Sequence, residues 1–238
     1  MMEPLWMVVP AAGSGSRLGA DVPKQYAMLS GQSMLQHTLS RLVQVPDVAG
    51  IVVCLAVNDA HWPEVDAANH PLIHATPGGQ TRAASVAAGL RFILDRSAED
   101  TWVLVHDAAR PLVSLTDIKR LTDAVYNSGA IGGILATRVQ DTLKRADTAC
   151  YVQGTVSRRD LWQAQTPQLF RAGELFAALQ SISNSGVVAE EITDESSVME
   201  RSGYEPLLVE SLQPNLKVTR PTDLLLARVL LQHYPSPT

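Results

Sequence analysis

With 238 residues, 46% of them hydrophobic, the chain is long enough to bury the core of one large α/β domain. A formal net charge of −5 argues against a surface that wraps a nucleic-acid backbone, while leaving room for a local cationic pocket that takes a small anion. The two cysteines, Cys54 and Cys150, form no CxxC pair, which predicts reduced thiols and a cytoplasmic setting; Glu3 and the short N-terminal apolar run predict neither a signal peptide nor a membrane span.

The apolar run at 5–9 reads as a buried strand. It gives way at once to Pro10-Ala11-Ala12-Gly13-Ser14-Gly15-Ser16-Arg17-Leu18-Gly19, with Pro23-Lys24-Gln25 just beyond. Glycines free the backbone to turn sharply and let a ligand lie against the main chain, whose N–H groups then form an anion-binding concavity. By themselves they also fit a plain turn; Arg17 and Lys24 add the positive charge that makes this a phosphate loop. Leu18 stands where a G-x-G-x-x-G dinucleotide motif needs glycine, and no Gly-Lys pair stands where a P-loop needs one. The loop resembles the one that opens nucleotidyltransferases acting on sugar and alditol phosphates.

Helical spacing follows at 33–45, then a continuous apolar strand at 50–56, a short helix at 61–68 and a weak strand at 72–75. Gly78-Gly79 predicts a turn before a helix at 81–94, with Val86, Leu90 and Ile93 on one face. A strand at 102–106, a helix at 115–126 and a strand at 132–136 continue the alternation, which implies parallel βαβ units. Ligands of such sheets bind beyond the carboxyl ends of the strands, where the Gly13 loop, the Gly78-Gly79 turn and Asp107 all fall. At 137–157 the pattern changes: 141–145 and 150–156 read as a hairpin around a polar turn, a β-arm suited to dimerisation. Helices at 172–182 and 194–201, strands at 205–210 and 215–218, and a last helix from Pro221 to Gln232 complete the chain. No repeat or linker divides it, so a single domain over 1–238 is expected.

Asp107, at a strand end beside a phosphate loop, suits a divalent-metal ligand; pairing with Arg110 or a turn cap is the plainer alternative. Lys217, at a predicted strand end before a helix, lies on the same ligand-binding edge. Thr193-Asp194-Glu195 also fits a simple helix cap, and Thr166-Pro167-Gln168 a simple turn. His70 and His74 have zinc-helix spacing, but Pro71 between them argues against that helix.

The segments V-V-P-A-A-G-x-G-x-R, P-K-Q-Y, G-G-x-x-R-x-x-S-V, H-D-A-A-R-P, D-T-L-K-R, T-P-Q-x-F, I-T-D-E and N-x-K-V-T-R-P-x-D-L occur in that order from Val8 to about Leu226. Together they resemble the 2-C-methyl-D-erythritol 4-phosphate cytidylyltransferases of the non-mevalonate isoprenoid pathway. That resemblance implies a doubly wound, mostly parallel (Rossmann-like) α/β sheet with an inserted β-hairpin arm that makes a homodimer. It implies that Ala11, Ala12, Gly13 and Gly15 cradle the CTP phosphates, and that Gly79 and Ser85 surround the cytosine and ribose. Gln80 stands where the family often has an acidic residue. Arg17, Lys24 and Lys217 match the catalytic cations, and Asp107 matches the carboxylate near Mg²⁺ and substrate. Thr142 and Arg158 match residues reaching the neighbouring subunit's site, with Arg159 adjacent; Thr166 and Thr193 match residues around methylerythritol phosphate. The implied reaction is CMP transfer from CTP, with Mg²⁺ as cofactor and CTP and methylerythritol phosphate as small-molecule partners. A sister activity on ribitol 5-phosphate or another sugar phosphate, and a non-catalytic nucleotide-binding protein, are the other readings.

Overall fold

Alternate residues of the first strand, β1 (Leu5–Pro10), enter two different cores, and this splits the molecule into layers. The computed structural model describes residues 4–13, 22–184 and 192–234. After β1 come a 3-10 turn at Lys24–Tyr26, a ribbon of β2 (Met28–Leu29) and β3 (Gln32–Ser33), and helix α1 (Met34–Leu42). There follow β4 (Val48–Leu55), two 3-10 turns at Trp62–Glu64 and Asp66–Asn69, β5 (Ile73–Pro77), α2 (Arg82–Leu94), β6 (Trp102–Val105), α3 (Leu115–Ser128) and β7 (Gly132–Arg138). The hairpin β8 (Leu143–Ala146) and β9 (Val152–Val156) leads into β10 (Trp162–Arg171), α4 (Ala172–Asn184), α5 (Glu195–Arg201), β11 (Leu207–Glu210) and α6 (Pro221–His233).

The main sheet has seven strands in the order β11-β7-β10-β6-β1-β4-β5. Every neighbouring pair is parallel except those made by β10, which runs antiparallel to β6 and β7. Met7 and Val9 pack under α1 and α3 with Leu35, Leu39, Ile118 and Leu121. Trp6 and Val8 pack on the opposite face with Val86, Leu90, Leu175 and Met199 of α2, α4 and α5. Each such side chain contributes about 1.5–3 kcal/mol by leaving water, so the period-2 pattern of β1 fixes the register of both layers.

Three expected segments differ from the sequence reading. The helix at 61–68 is two short 3-10 turns. Residues 215–218 join no ladder; the stretch is held by side chains and by one backbone bond, Val218 N–H to the Ala109 carbonyl at 2.9 Å. Thr166-Pro167-Gln168, which also fits a simple turn, is the middle of β10, where the pairing with β7 shifts register between Ala164 and Gln168. Such an irregularity tolerates a proline that an unbroken ladder would reject. The arm hairpin β8–β9 forms its own antiparallel ribbon, with Lys144, Arg145, Tyr151 and Val152 exposed.

Candidate active site

Two loops meet at the carboxyl edge of the parallel strands. Ala11 donates its N–H to the Cys54 carbonyl at 2.8 Å, and its own carbonyl accepts from the buried Gln25 side chain at 2.6 Å. Gln25 thereby ties the 3-10 turn that carries Lys24 to the end of β1. The second loop leaves β5 through Gly78-Gly79. A Cβ on Gly78 would lie 2.7 Å from the Ala12 methyl and one on Gly79 would lie 2.4 Å from Ala84, so both glycines are needed for the close approach. The Ser85 hydroxyl accepts the Gly79 N–H at 3.1 Å, and Thr81 caps α2 by accepting the Ala84 N–H.

These loops enclose a cleft of about 290 Å³ whose walls include Ala11, Ala12, Gly13, Lys24, Gly79, Ser85, Asp107 and Lys217. Eight of the expected site residues thus converge from five separate segments. Gly15 and Arg17 lie outside the described residues. Ser85 is buried and spends its hydroxyl on the turn. Thr166 does not line the cleft: it is buried, and its hydroxyl accepts the Asp107 N–H at 3.0 Å and meets His106 Nδ1 at 3.1 Å. Thr193 is exposed just ahead of α5, while Thr142 and Arg158 are exposed on the arm and do not line this cleft.

Asp107 is the electrostatic centre. Its Oδ1 takes Arg82 Nε at 3.0 Å; its Oδ2 takes Lys217 Nζ at 2.9 Å and faces Arg110 Nε at 3.6 Å. Burial pushes the Asp107 carboxyl up, but Arg82, Lys217 and Arg110 outweigh it and hold it well below the usual carboxylate range. Arg82 also forks onto Glu195, with Nη1 to Oε1 at 2.5 Å and Nη2 to Oε2 at 2.9 Å. Burial raises the Glu195 carboxyl above its ordinary value, against the pull of Arg82. Behind the cluster, His106 is fully buried, and burial lowers its imidazole to about 4. Its Nε2 faces the Arg110 carbonyl at 3.2 Å, which assigns the proton to Nε2 and leaves Nδ1 to accept from Thr166.

Lys217 is delivered by side chains rather than by a strand. Arg110 donates to the Asn215 carbonyl at 2.7 Å, and Asn215 Nδ2 donates to the Thr166 carbonyl at 2.7 Å. Upstream, buried Asp117 of α3 accepts the N–H groups of Leu212 and Gln213.

Asp107 does not fit a resident metal ligand. Each of its oxygens already faces a cation, a third cation stands beside them, and among the described residues no group of three or more His, Cys, Asp or Glu could hold an ion. In this arrangement the Asp107 carboxylate orders cations. Arg82 and Glu195 had no assigned role in the sequence reading, although Arg82 is the arginine of the G-G-x-x-R motif and Glu195 belongs to I-T-D-E.

The family model described as 2-C-methyl-D-erythritol 4-phosphate cytidylyltransferase matches residues 5–233. The chain belongs to the 2-C-methyl-D-erythritol 4-phosphate cytidylyltransferase family. A relative of that name from Ectopseudomonas mendocina (strain ymp) is 48% identical over 225 residues, covering 94% of each chain. One from Pseudomonas putida (strain W619) is 47% identical over 220 residues, covering 92% of each. The crystal structure of the cytidylyltransferase from Francisella tularensis superposes with a TM-score of 0.82 at 36% identity, covering 96% of this chain and all of that one. Within this cytidylyltransferase family fold, the cleft lies where the doubly wound sheet places its ligands.

Proposed function

We propose that the chain transfers the CMP moiety of CTP to 2-C-methyl-D-erythritol 4-phosphate, releasing pyrophosphate and forming 4-diphosphocytidyl-2-C-methyl-D-erythritol, in isoprenoid precursor biosynthesis. The observation that carries this reading is one cleft lined together by a small-residue loop, Lys24 and the Asp107–Lys217 pair. Family membership supplies the substrates.

In this reading the triphosphate lies along the main chain of Ala11, Ala12 and Gly13, with Lys24 beside it and Arg17 as a second cation. Gly79 borders the base, and Ser85 keeps that turn in shape. The acceptor phosphate is already ionised at neutral pH, so no general base is needed. One of its oxygens attacks the α-phosphorus in line, the bond to the bridging oxygen breaks, and pyrophosphate departs. The protein supplies position and charge. Three cations, Arg82, Arg110 and Lys217, share the carboxylates of Asp107 and Glu195, which leaves one positive charge over for an anionic guest. Magnesium belongs to the substrate here, entering as the counter-ion of the triphosphate.

The arm is read as a dimer contact that carries Thr142 and Arg158 to a second copy's acceptor site, with Thr193 nearer its own. A two-stranded ribbon is marginally stable alone, and Tyr151 and Val152 near its tip are 72% and 63% exposed. A cytoplasmic setting fits the two free thiols, Cys54 and Cys150. No helix among the described residues is long and apolar enough to cross a membrane.

The deciding test is a matrix of nucleoside triphosphates against alditol phosphates, read by pyrophosphate release. CTP with methylerythritol phosphate should give the highest kcat/KM. Equal or higher efficiency with ribitol 5-phosphate moves the chain to the sister activity.

A further inference from the structure

Arg82 reaches two carboxylates with one guanidinium, and the way it divides itself has a consequence for Lys217. Its Nη1 and Nη2 are both committed to Glu195, at 2.5 and 2.9 Å, in the parallel fork that arginine and carboxylates favour. Only Nε remains for Asp107, and it takes Oδ1 alone at 3.0 Å. Oδ2 is thereby left to Lys217, at 2.9 Å, with Arg110 Nε farther off at 3.6 Å.

Glu195 is held in place independently of the cleft. It opens α5, whose first turn is fixed to β10: Gln168, itself buried, donates to Asp194 Oδ2 at 2.8 Å and accepts the Ser196 N–H at 2.8 Å. Asp194 caps the same helix through the Ser197 N–H at 2.9 Å. The Glu195 carboxylate is therefore a fixed point to which the half-buried arginine is tied.

We propose that Glu195 is a positioning residue for Lys217: by occupying the fork of Arg82 it confines that guanidinium to one oxygen of Asp107 and keeps the other oxygen for the lysine. Without the fork partner, Arg82 is free to turn its own fork onto Asp107, cover both oxygens and displace Lys217. A bidentate arginine outcompetes a single ammonium for a carboxylate by geometry as well as charge. The proposal rests on the reading of Lys217 as a cation that faces substrate, but the position of the lysine can be measured without turnover.

The measurement is trace acetylation of the full-length protein with acetic anhydride, read by peptide mass spectrometry as the labelling of Lys217 relative to Lys119, which is exposed on α3. In Glu195→Gln the ratio should rise about threefold, the scale of losing a partly exposed ion pair. In the charge-matched double variant Arg82→Met/Glu195→Gln it should return to the parent ratio, because the competing guanidinium is gone. Glu195→Asp keeps the charge but shortens the reach, so it serves as a second variant if Glu195→Gln does not fold, and its ratio should rise as well. An unchanged ratio in a folded Glu195 variant, or a raised ratio that persists in the double variant, overturns the proposal. Turnover is read separately: kcat should fall in Glu195→Gln while KM for CTP stays within about twofold, as expected for a contact realised in the transition state. A raised labelling ratio with unchanged kcat supports the positioning role and removes Lys217 from the chemistry, so the two readings fail separately.

Discussion

Lys217 Nζ lies 2.9 Å from Oδ2 of Asp107, joining a loop near the C-terminus to the end of a central strand. The lysine is 43% exposed and the aspartate 8%, so the pair presents its cationic side to the cleft and its anionic side to the interior. An anionic guest meets a positive charge that is already oriented.

Lys24 lines the same cleft, on the turn pinned by Gln25 to Ala11. Lys24→Ala is expected to lower turnover by roughly 10²–10³-fold, the usual effect of removing one preorganised charge contact to the transition state. Thermal unfolding should be unchanged. Turnover within a few-fold of the parent would make Lys24 a bystander.

Metal dependence should follow the nucleotide. Excess EDTA should abolish turnover, and the magnesium concentration giving half-maximal rate should track the CTP concentration. Asp107→Asn should lower the maximal rate and leave that half-maximal concentration in place, because the carboxylate is engaged by cations. A several-fold higher metal requirement in Asp107→Asn at fixed CTP would restore the aspartate as an ion ligand.

His106 makes stability depend on pH. Its imidazole is lowered to about 4 in the folded chain, so between the ordinary histidine value and 4 the unfolded chain binds a proton that the folded chain does not. Stability should therefore fall as pH drops from about 6.5 to about 4, by about 3 kcal/mol in all from this group. Asp107 works in the same sense at lower pH: its stabilising contribution is complete above the ordinary carboxylate range and is lost as pH falls from that range toward its depressed value. Urea denaturation of the parent and of His106→Gln across this range checks the point. The parent should lose more stability than the variant on acidification, and parallel curves would show that His106 is protonated at the same pH in both states.

The arm makes a demand on mixed dimers. Lys24→Ala and Arg158→Ala should each be nearly inactive alone. If Arg158 serves the partner's site, a heterodimer gathers both lesions in one site and leaves the other intact. Equal mixing should then restore up to about one quarter of parent activity by statistical assortment. No recovery, with heterodimers seen by native mass spectrometry, would place Arg158 on its own subunit or outside the site.

The alternation of strands and helices was legible because β1, β4 and β6 are short apolar runs and the helices between them carry apolar residues at helical spacing. Strand β10 was hidden, since Thr166-Pro167-Gln168 fits a simple turn and the ladder shifts register there. Residues 215–218 misled in the other direction: Leu216 and Val218 look like a strand, but Asn215 and Arg110 hold the segment by side chains. In the site, Asp107 and Lys217 could be found because they stand at predicted strand ends, and Lys24 because it follows the glycine loop. The link between Arg82 and Glu195 could not, because 113 residues separate them and the docking of α5 on α4 and β10 closes that distance.

The antiparallel strand has two duties. β7 leaves the sheet as the outgoing limb of the arm, and β10 is its return limb, paired with β7 on both sides of the register shift. Midway along that return limb, Thr166 takes the Asp107 N–H and Gln168 grips the start of α5. The arm and the charge cluster are thus joined through one strand, at residues 164–168. One strand therefore serves as the arm's return limb and as the backing of both Asp107 and α5, so a substitution at residues 164–168 reaches both at once.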